Sequence, residues 1–163
     1  MTNAIDGRAM DDATMDDAMD DIDRTAIRQV CTELVLKAVA CMDFQKPSGL
    51  AELFTEGGVL VRPNGQSLQG RDAIREAYAQ RPADRITRHM VTNTLVEVDS
   101  AESAHGLSYV LLWGGSANDP SGPQGRVARG PQLLGEFDDR FVLTAQGWRI
   151  ARREARFVLH AGG

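Results

Sequence analysis

The first sustained hydrophobic pattern runs at helical spacing. Ile27, Val30, Cys31, Leu34, Val35, Ala38 and Met42 recur at steps of three and four residues, which predicts an amphipathic helix with one broad apolar face. Asp23 is the expected N-cap, with Ile22 and Ile27 spaced as a hydrophobic staple. The helix is expected to stop near Phe44, because Pro47 disfavours helical geometry in the residue before it. A short helix over 49–54, a strand over 59–62, a turn at Asn64-Gly65 and a third helix over 71–80 follow.

Beyond Pro82 the period changes from 3.6 to two. Segments 86–98 and 104–113 read as one strand pair, and 133–143 and 148–159 as another. Between the pairs, residues 114–131 contain five Gly and three Pro with no periodicity. A loop of that length is functional or mobile in most compact domains, and here it is expected to serve as a lid. Helices first and strands afterwards indicate α+β. A strongly curved sheet wrapped round the first helix would bury both its own inner face and the helix stripe.

Composition adjusts this picture at one end. The chain has 163 residues and a net charge of −5. Residues 1–23 hold eight Asp and one Arg and so carry −7, leaving +2 for the rest. Met-Asp-Asp occurs three times there, starting at Met10, Met15 and Met19. Such a segment has little to bury and is expected to form an acidic disordered or loosely helical arm over 1–22, ahead of a single domain over 23–160. A near-neutral domain without a basic face argues against nucleic-acid binding. Segment 103–118, 16 residues without Asp, Glu, Lys or Arg but with a His and three Gly, falls short of a membrane span. The aspartate-rich start does not resemble a secretory signal. Cys31 and Cys41 lie about 15 Å apart on one helix, too far for a disulfide. A reduced, cytoplasmic protein is the expectation.

Several familiar sites are missing from the sequence. It contains no phosphate loop, no GxGxxG, no GxSxG and no His/Cys set at metal spacing, so neither metal nor cofactor is expected. Arg149, Arg152, Arg153 and Arg156 divide by strand alternation into Arg149/Arg153 and Arg152/Arg156. Ion pairing with Asp138 or Asp139 on the neighbouring strand accounts for them better than phosphate binding. His105 and His160 receive no role.

The remaining chemistry lies in two residues. His89, Val91, Asn93 and Leu95 alternate onto one strand face, and a concave face would set His89 in a largely apolar pocket. Asp43 stands at the end of the first helix, where the helix dipole disfavours a carboxylate and raises its affinity for a proton. An Asp–His pair with O and N about 2.6–3.2 Å apart is a competent acid–base couple, suited to removing a proton next to a carbonyl. Yet on a regular helix Asp43 falls roughly 140° from the centre of the apolar stripe, so it is expected to turn inward only where the helix loosens. The bland alternatives are a structural strand histidine and an Asx turn. Tyr78, Val91, Leu112, Trp113, Phe137 and Phe141 are the candidate apolar lining. A one-residue change of register would exchange Leu112 for Trp113.

The order Met42-Asp43, Leu53-Phe54-Thr55-Glu56-Gly57-Gly58-Val59-Leu60, Gly70-Arg71-Asp72-Ala73-Ile74, Arg88-His89-x-x-x-Asn93 and Gly147-Trp148-Arg149-Ile150-Ala151-Arg152-Arg153 resembles the SnoaL-like branch of the nuclear transport factor 2-like superfamily over residues 23–159. The resemblance implies a cone-shaped α+β barrel, with a strongly curved mixed or antiparallel sheet packed on three N-terminal helices around a deep apolar pocket. It also implies assembly as a homodimer or homotrimer. Scytalone dehydratase, a family member, resembles this chain in having an Asp at the end of helix one and a His on the first long strand, positions matched by Asp43 and His89. Its second His falls near Gly114 here and its tyrosine before the Asp is replaced by Met42, so that particular activity is not implied. Two functional readings follow. One is a cofactor-independent lyase or isomerase acting on a small apolar carbonyl-bearing ring compound, with His89 as acid or base and Asp43 supporting it. The other is a non-catalytic binding or scaffolding subunit, like the small subunits of ring-hydroxylating dioxygenases. A shared fold does not choose between them.

Overall fold

In the computed structural model, which describes residues 20–162, nine elements follow in order. They are α1 (Asp21–Asp43), α2 (Pro47–Glu52), β1 (Phe54–Val61), β2 (Ser67–Gln69), α3 (Gly70–Ala79), β3 (Arg85–Val98), β4 (Ser103–Ser116), β5 (Gln132–Thr144) and β6 (Gly147–Ala161). The strands form one six-stranded sheet in the order β2-β1-β6-β5-β4-β3. Only β1 and β6 run parallel; all the other pairs are antiparallel. The sheet does not close, and β2 and β3 are its edges. The α+β class and the cone architecture hold, with the barrel open on one side.

The stripe read from the sequence builds the core. Cys31, Leu34, Val35, Ala38, Val39 and Met42 of α1 are buried against Leu60, Ile74, Val110, Phe137, Phe141 and Ile150. Helix α1 touches both β6 and the edge strand β3, three places apart in the sheet, so the sheet must curve round it. Its N-cap is Asp20, whose Oδ1 accepts from the Asp23 N–H at 2.7 Å, not Asp23 itself. The helix therefore begins three residues earlier than the apolar pattern indicates. Ile22 stands exposed and no staple forms around it. The rest of the expected acidic arm, 1–19, lies outside the described residues.

Two bulges correct the simple alternation. Asn93 has φ +50°, and the β3–β4 register shifts between Thr92 and Leu95. The face that begins Thr87, His89, Val91 therefore does not continue through Asn93 to Leu95, which is 69% exposed. On β6 the register shifts beside Ala151, so Ile150 and Arg153 both face inward and Arg149 does not share Arg153's side. Among the described residues no helix is long and apolar enough to cross a membrane, and both cysteines are free.

Candidate active site

The end of α1 places the first component. Phe44 caps the helix and Gln45 takes a left-handed conformation, φ +51°. The Lys46 N–H then reaches back to the Cys41 carbonyl at 2.8 Å, the six-to-one bond of a Schellman ending. Gln45 Nε2 donates to the carbonyls of Ala83 and Arg85 at 3.0 and 2.9 Å. These bonds clamp the helix end to the start of β3. No loosening of the helix is needed to aim Asp43: its flank, rather than its apolar stripe, faces the edge strand, and the curved sheet covers that flank as well.

Asp43 is thereby surrounded by donors. Its carboxylate accepts from the Thr87 hydroxyl at 2.8 Å, the His89 backbone N–H at 2.9 Å and the His89 ring Nδ1 at 2.6 Å. The two side chains are only 8% and 10% exposed. Burial by itself pushes the Asp43 carboxyl up, but the ring and backbone N–H of His89, the attraction of that ring and the Thr87 hydroxyl together hold it below the ordinary aspartate value. The upward shift expected from the helix dipole is therefore reversed, because local donors outweigh it. Acceptance by Asp43 requires the proton of the neutral imidazole on Nδ1, which leaves the Nε2 lone pair on the far side of the ring. His89 lines a cavity of about 230 Å³.

Three of the six candidate lining residues, Tyr78, Leu112 and Phe137, border that cavity. Burial pushes the Tyr78 phenol up, and it donates to Met42 Sδ at 3.3 Å. The other three lie elsewhere. Trp113 is 40% exposed and sits on the opposite sheet face beside Ile86 and Arg88, since adjacent strand residues point apart. Phe141 shares an inner face with Phe137, but four residues further along β5 it is buried in the core beside Ile150. Val91 packs against the core cluster rather than the cavity. Of the segment expected as a lid, residues 114–116 belong to β4, and none of 117–131 borders the His89 cavity. The Arg129 N–H binds the Gly114 carbonyl, and Val127 and Ala128 border a hollow beside Trp113 on the outer side.

Sequence reasoning missed Thr87, although the same alternation that selected His89 puts it on that face. It also missed the polar part of the cavity wall, which includes Arg62, Arg81 and Arg85. The pocket is therefore apolar on its inner side only. Gly135 lines it as well, and there a Cβ would sit 2.5 Å from the Arg156 carbonyl oxygen, so no larger residue fits the close β5–β6 approach. Among the described residues no group of three His, Cys, Asp or Glu side chains converges as a metal set.

A curved open sheet enclosing a helix, with a buried Asp–His pair opening on a pocket, defines a class of small cone-shaped α+β proteins. The chain belongs to the SnoaL-like domain family, whose model matches residues 22–154, within the nuclear transport factor 2-like superfamily. Solved structures agree on the fold. A provisionally named scytalone dehydratase from Novosphingobium aromaticivorans is 20% identical, with 86% of this chain and 89% of that one covered at TM-score 0.73. Hexachlorocyclohexane dehydrochlorinase LinA-type3 from Novosphingobium barchaimii is 17% identical, covering 87% and 93% at TM-score 0.72. A protein of unknown function from Mycobacterium tuberculosis is 28% identical, covering 86% and 78% at TM-score 0.68. No functionally curated protein matches the sequence.

Proposed function

We propose that this protein is a cofactor-independent lyase or isomerase that moves a proton on a small carbonyl-bearing ring compound. The observation that carries the reading is the 2.6 Å contact between Asp43 and the Nδ1 of a histidine that lines the pocket. A scaffolding subunit has no need of such a pair, and a dehydratase and a dehydrochlorinase among the similar structures supply fold-level support.

In this reading His89 Nε2 takes a proton from the carbon next to the carbonyl, and the C–H electron pair becomes the double bond of an enolate. The imidazolium then returns the proton to another carbon, giving isomerisation, or to a departing group as its bond breaks, giving elimination. Asp43 remains a carboxylate, holds the ring in one tautomer and stabilises its cationic form. Positioned transfer of this kind contributes ~10²–10⁴ in rate. Tyr78, Leu112 and Phe137 hold the ring.

The reading includes a cytoplasmic setting and a homodimer or homotrimer joined through the outer sheet face, where Met90, Tyr109 and Val158 are exposed. Sedimentation equilibrium checks the assembly, and Tyr109→Glu should shift it to monomer. The chemistry is tested by incubating the full chain in heavy water with a panel of cyclic ketones such as beta-tetralone and following loss of the proton signals by NMR. Exchange above the buffer rate that disappears in His89→Gln supports the reading. Exchange unchanged in that variant, or none across the panel, overturns it.

A further inference from the structure

The polar residues of the pocket are not spread evenly. Met42, Val110, Phe137 and Ala155 are buried, whereas Arg62 and Arg81 are half-buried and Arg85 exposed. The cationic groups therefore gather at the solvent end of a cavity whose inner wall is apolar. The carboxylate that borders it among the described residues, Glu136, pairs with Arg156 at 2.6 Å on the Tyr109 side of the sheet. Asp43, behind His89, is engaged by three donors.

The other three guanidiniums have no carboxylate partner among the described residues. Arg62 gives one N–H to Gln66 at 2.9 Å and Arg81 one to the Met42 carbonyl at 3.2 Å. At Arg85 it is the backbone carbonyl, not the guanidinium, that is hydrogen-bonded. Arg62 and Arg81 both lie against the Tyr78 ring, 6.0 and 5.3 Å from its centroid, which holds them at the same side chain. Burial first, and then the neighbouring charge of Arg85, pull Arg81 below its ordinary value. Like charges crowded into a half-enclosed cavity repel, and most of their N–H groups remain unused. A planar guanidinium presents paired donors that match an oxyanion with two or more oxygens.

We infer that Arg62, Arg81 and Arg85 form an oxyanion-binding site at the pocket mouth. The substrate is then a ring compound that carries a carboxylate or phosphate group, anchored at the arginines with its apolar ring directed toward His89. This assignment of substrate class rests on the proton-transfer reading; the anion site itself does not require turnover. A cavity of about 230 Å³ suits one small ring system rather than a large coenzyme ester.

Titration calorimetry on the full chain at low salt tests the site with three probes. These are para-acetylbenzoate, its uncharged amide para-acetylbenzamide, and phenyl phosphate. The better-bound acid should exceed the amide by about tenfold or more, as charge-assisted paired hydrogen bonds imply, and the preference should shrink as salt rises. It should vanish in the Arg62→Gln/Arg81→Gln double variant, fall in Arg85→Gln and persist in His89→Gln. Arg85 is exposed, so its substitution tests the site even where the double variant fails to fold. Tighter binding of para-acetylbenzoate assigns a carboxylate, and tighter binding of phenyl phosphate a phosphate. Equal binding of acid and amide, no binding of any probe, or a preference that survives the arginine variants overturns the site. Exchange of the acetyl protons in heavy water reads the other proposal separately. An acid preference without His89-dependent exchange leaves the anion site standing and removes the proton transfer; exchange without an acid preference does the reverse.

Discussion

Two aspartates of this protein are buried beside a nitrogen base, and their surroundings separate structure from chemistry. Asp139 on β5 meets Arg153 on β6 through two parallel bonds of 2.7 Å, Nε to Oδ1 and Nη2 to Oδ2, with both side chains 1% exposed. The guanidinium lies over the Phe137 ring at 4.2 Å. Burial, and then the charge of Asp139, push the nearby Cys31 thiol up to about 12. This pair is closed off from solvent. Asp43 has equally good partners, but one of them is an imidazole with a second nitrogen on its other side, beside a cavity. A buried ion pair locks two strands together; a buried carboxylate behind a pocket histidine sets up proton transfer.

Breaking the closed pair has the largest expected effect on stability. Arg153→Met leaves Asp139 charged and unpartnered in the core, and should cost about 3–5 kcal/mol in chemical denaturation. Replacing both, Arg153→Met with Asp139→Leu, should recover most of that loss, because two apolar groups need no partners. Asp43→Asn sharpens the contrast from the other side. It should lower any His89-dependent exchange by about 10²-fold or more through loss of the tautomer, while its effect on denaturation stays well below that of Arg153→Met. Thr87→Val removes one of three donors to Asp43 and should cost roughly 1 kcal/mol. The smallest effect is that of pH. Because Asp43 is held below its ordinary 3.8, its hydrogen bonds contribute stability that is present in full above that value and lost as pH falls through the depressed one. Thermal melts of wild type against Asp43→Asn, taken downward from pH 5, should converge at the acidic end.

The same contrast shows what the sequence makes legible. Helical and strand periods locate α1, α3 and the four long strands, while α2 lies two residues before its expected place and β1 begins at Phe54, five residues before the expected strand start. The short β2 escapes, since its three residues carry no period. Asp43 and His89 are readable as a pair from residue type and family resemblance. The helix wheel alone points Asp43 away from the core, because it describes one helix and not the edge strand that curves over its flank. Strand alternation is correct up to Val91 and fails at Asn93, where a bulge resets the face. A second bulge by Ala151 separates Arg149 from Arg153. Trp113 rather than Leu112 faces outward, a one-residue distinction that only pairing with β3 settles. The cationic mouth is not readable at all, since Arg62 lies after β1 whereas Arg81 follows α3 and Arg85 opens β3, and only folding joins them.

The central claim is that the His89 ring, fixed by Asp43, is the base of a pocket that moves protons. The most direct measurement is proton exchange from a cyclic ketone in heavy water, with thermal melting recorded on the same samples of wild type and His89→Gln. The account predicts that the variant loses ~10²–10⁴ in exchange rate while its melting temperature stays close to wild type. A variant that melts far below wild type yet exchanges at the wild-type rate per folded molecule would make His89 a structural residue and contradict it.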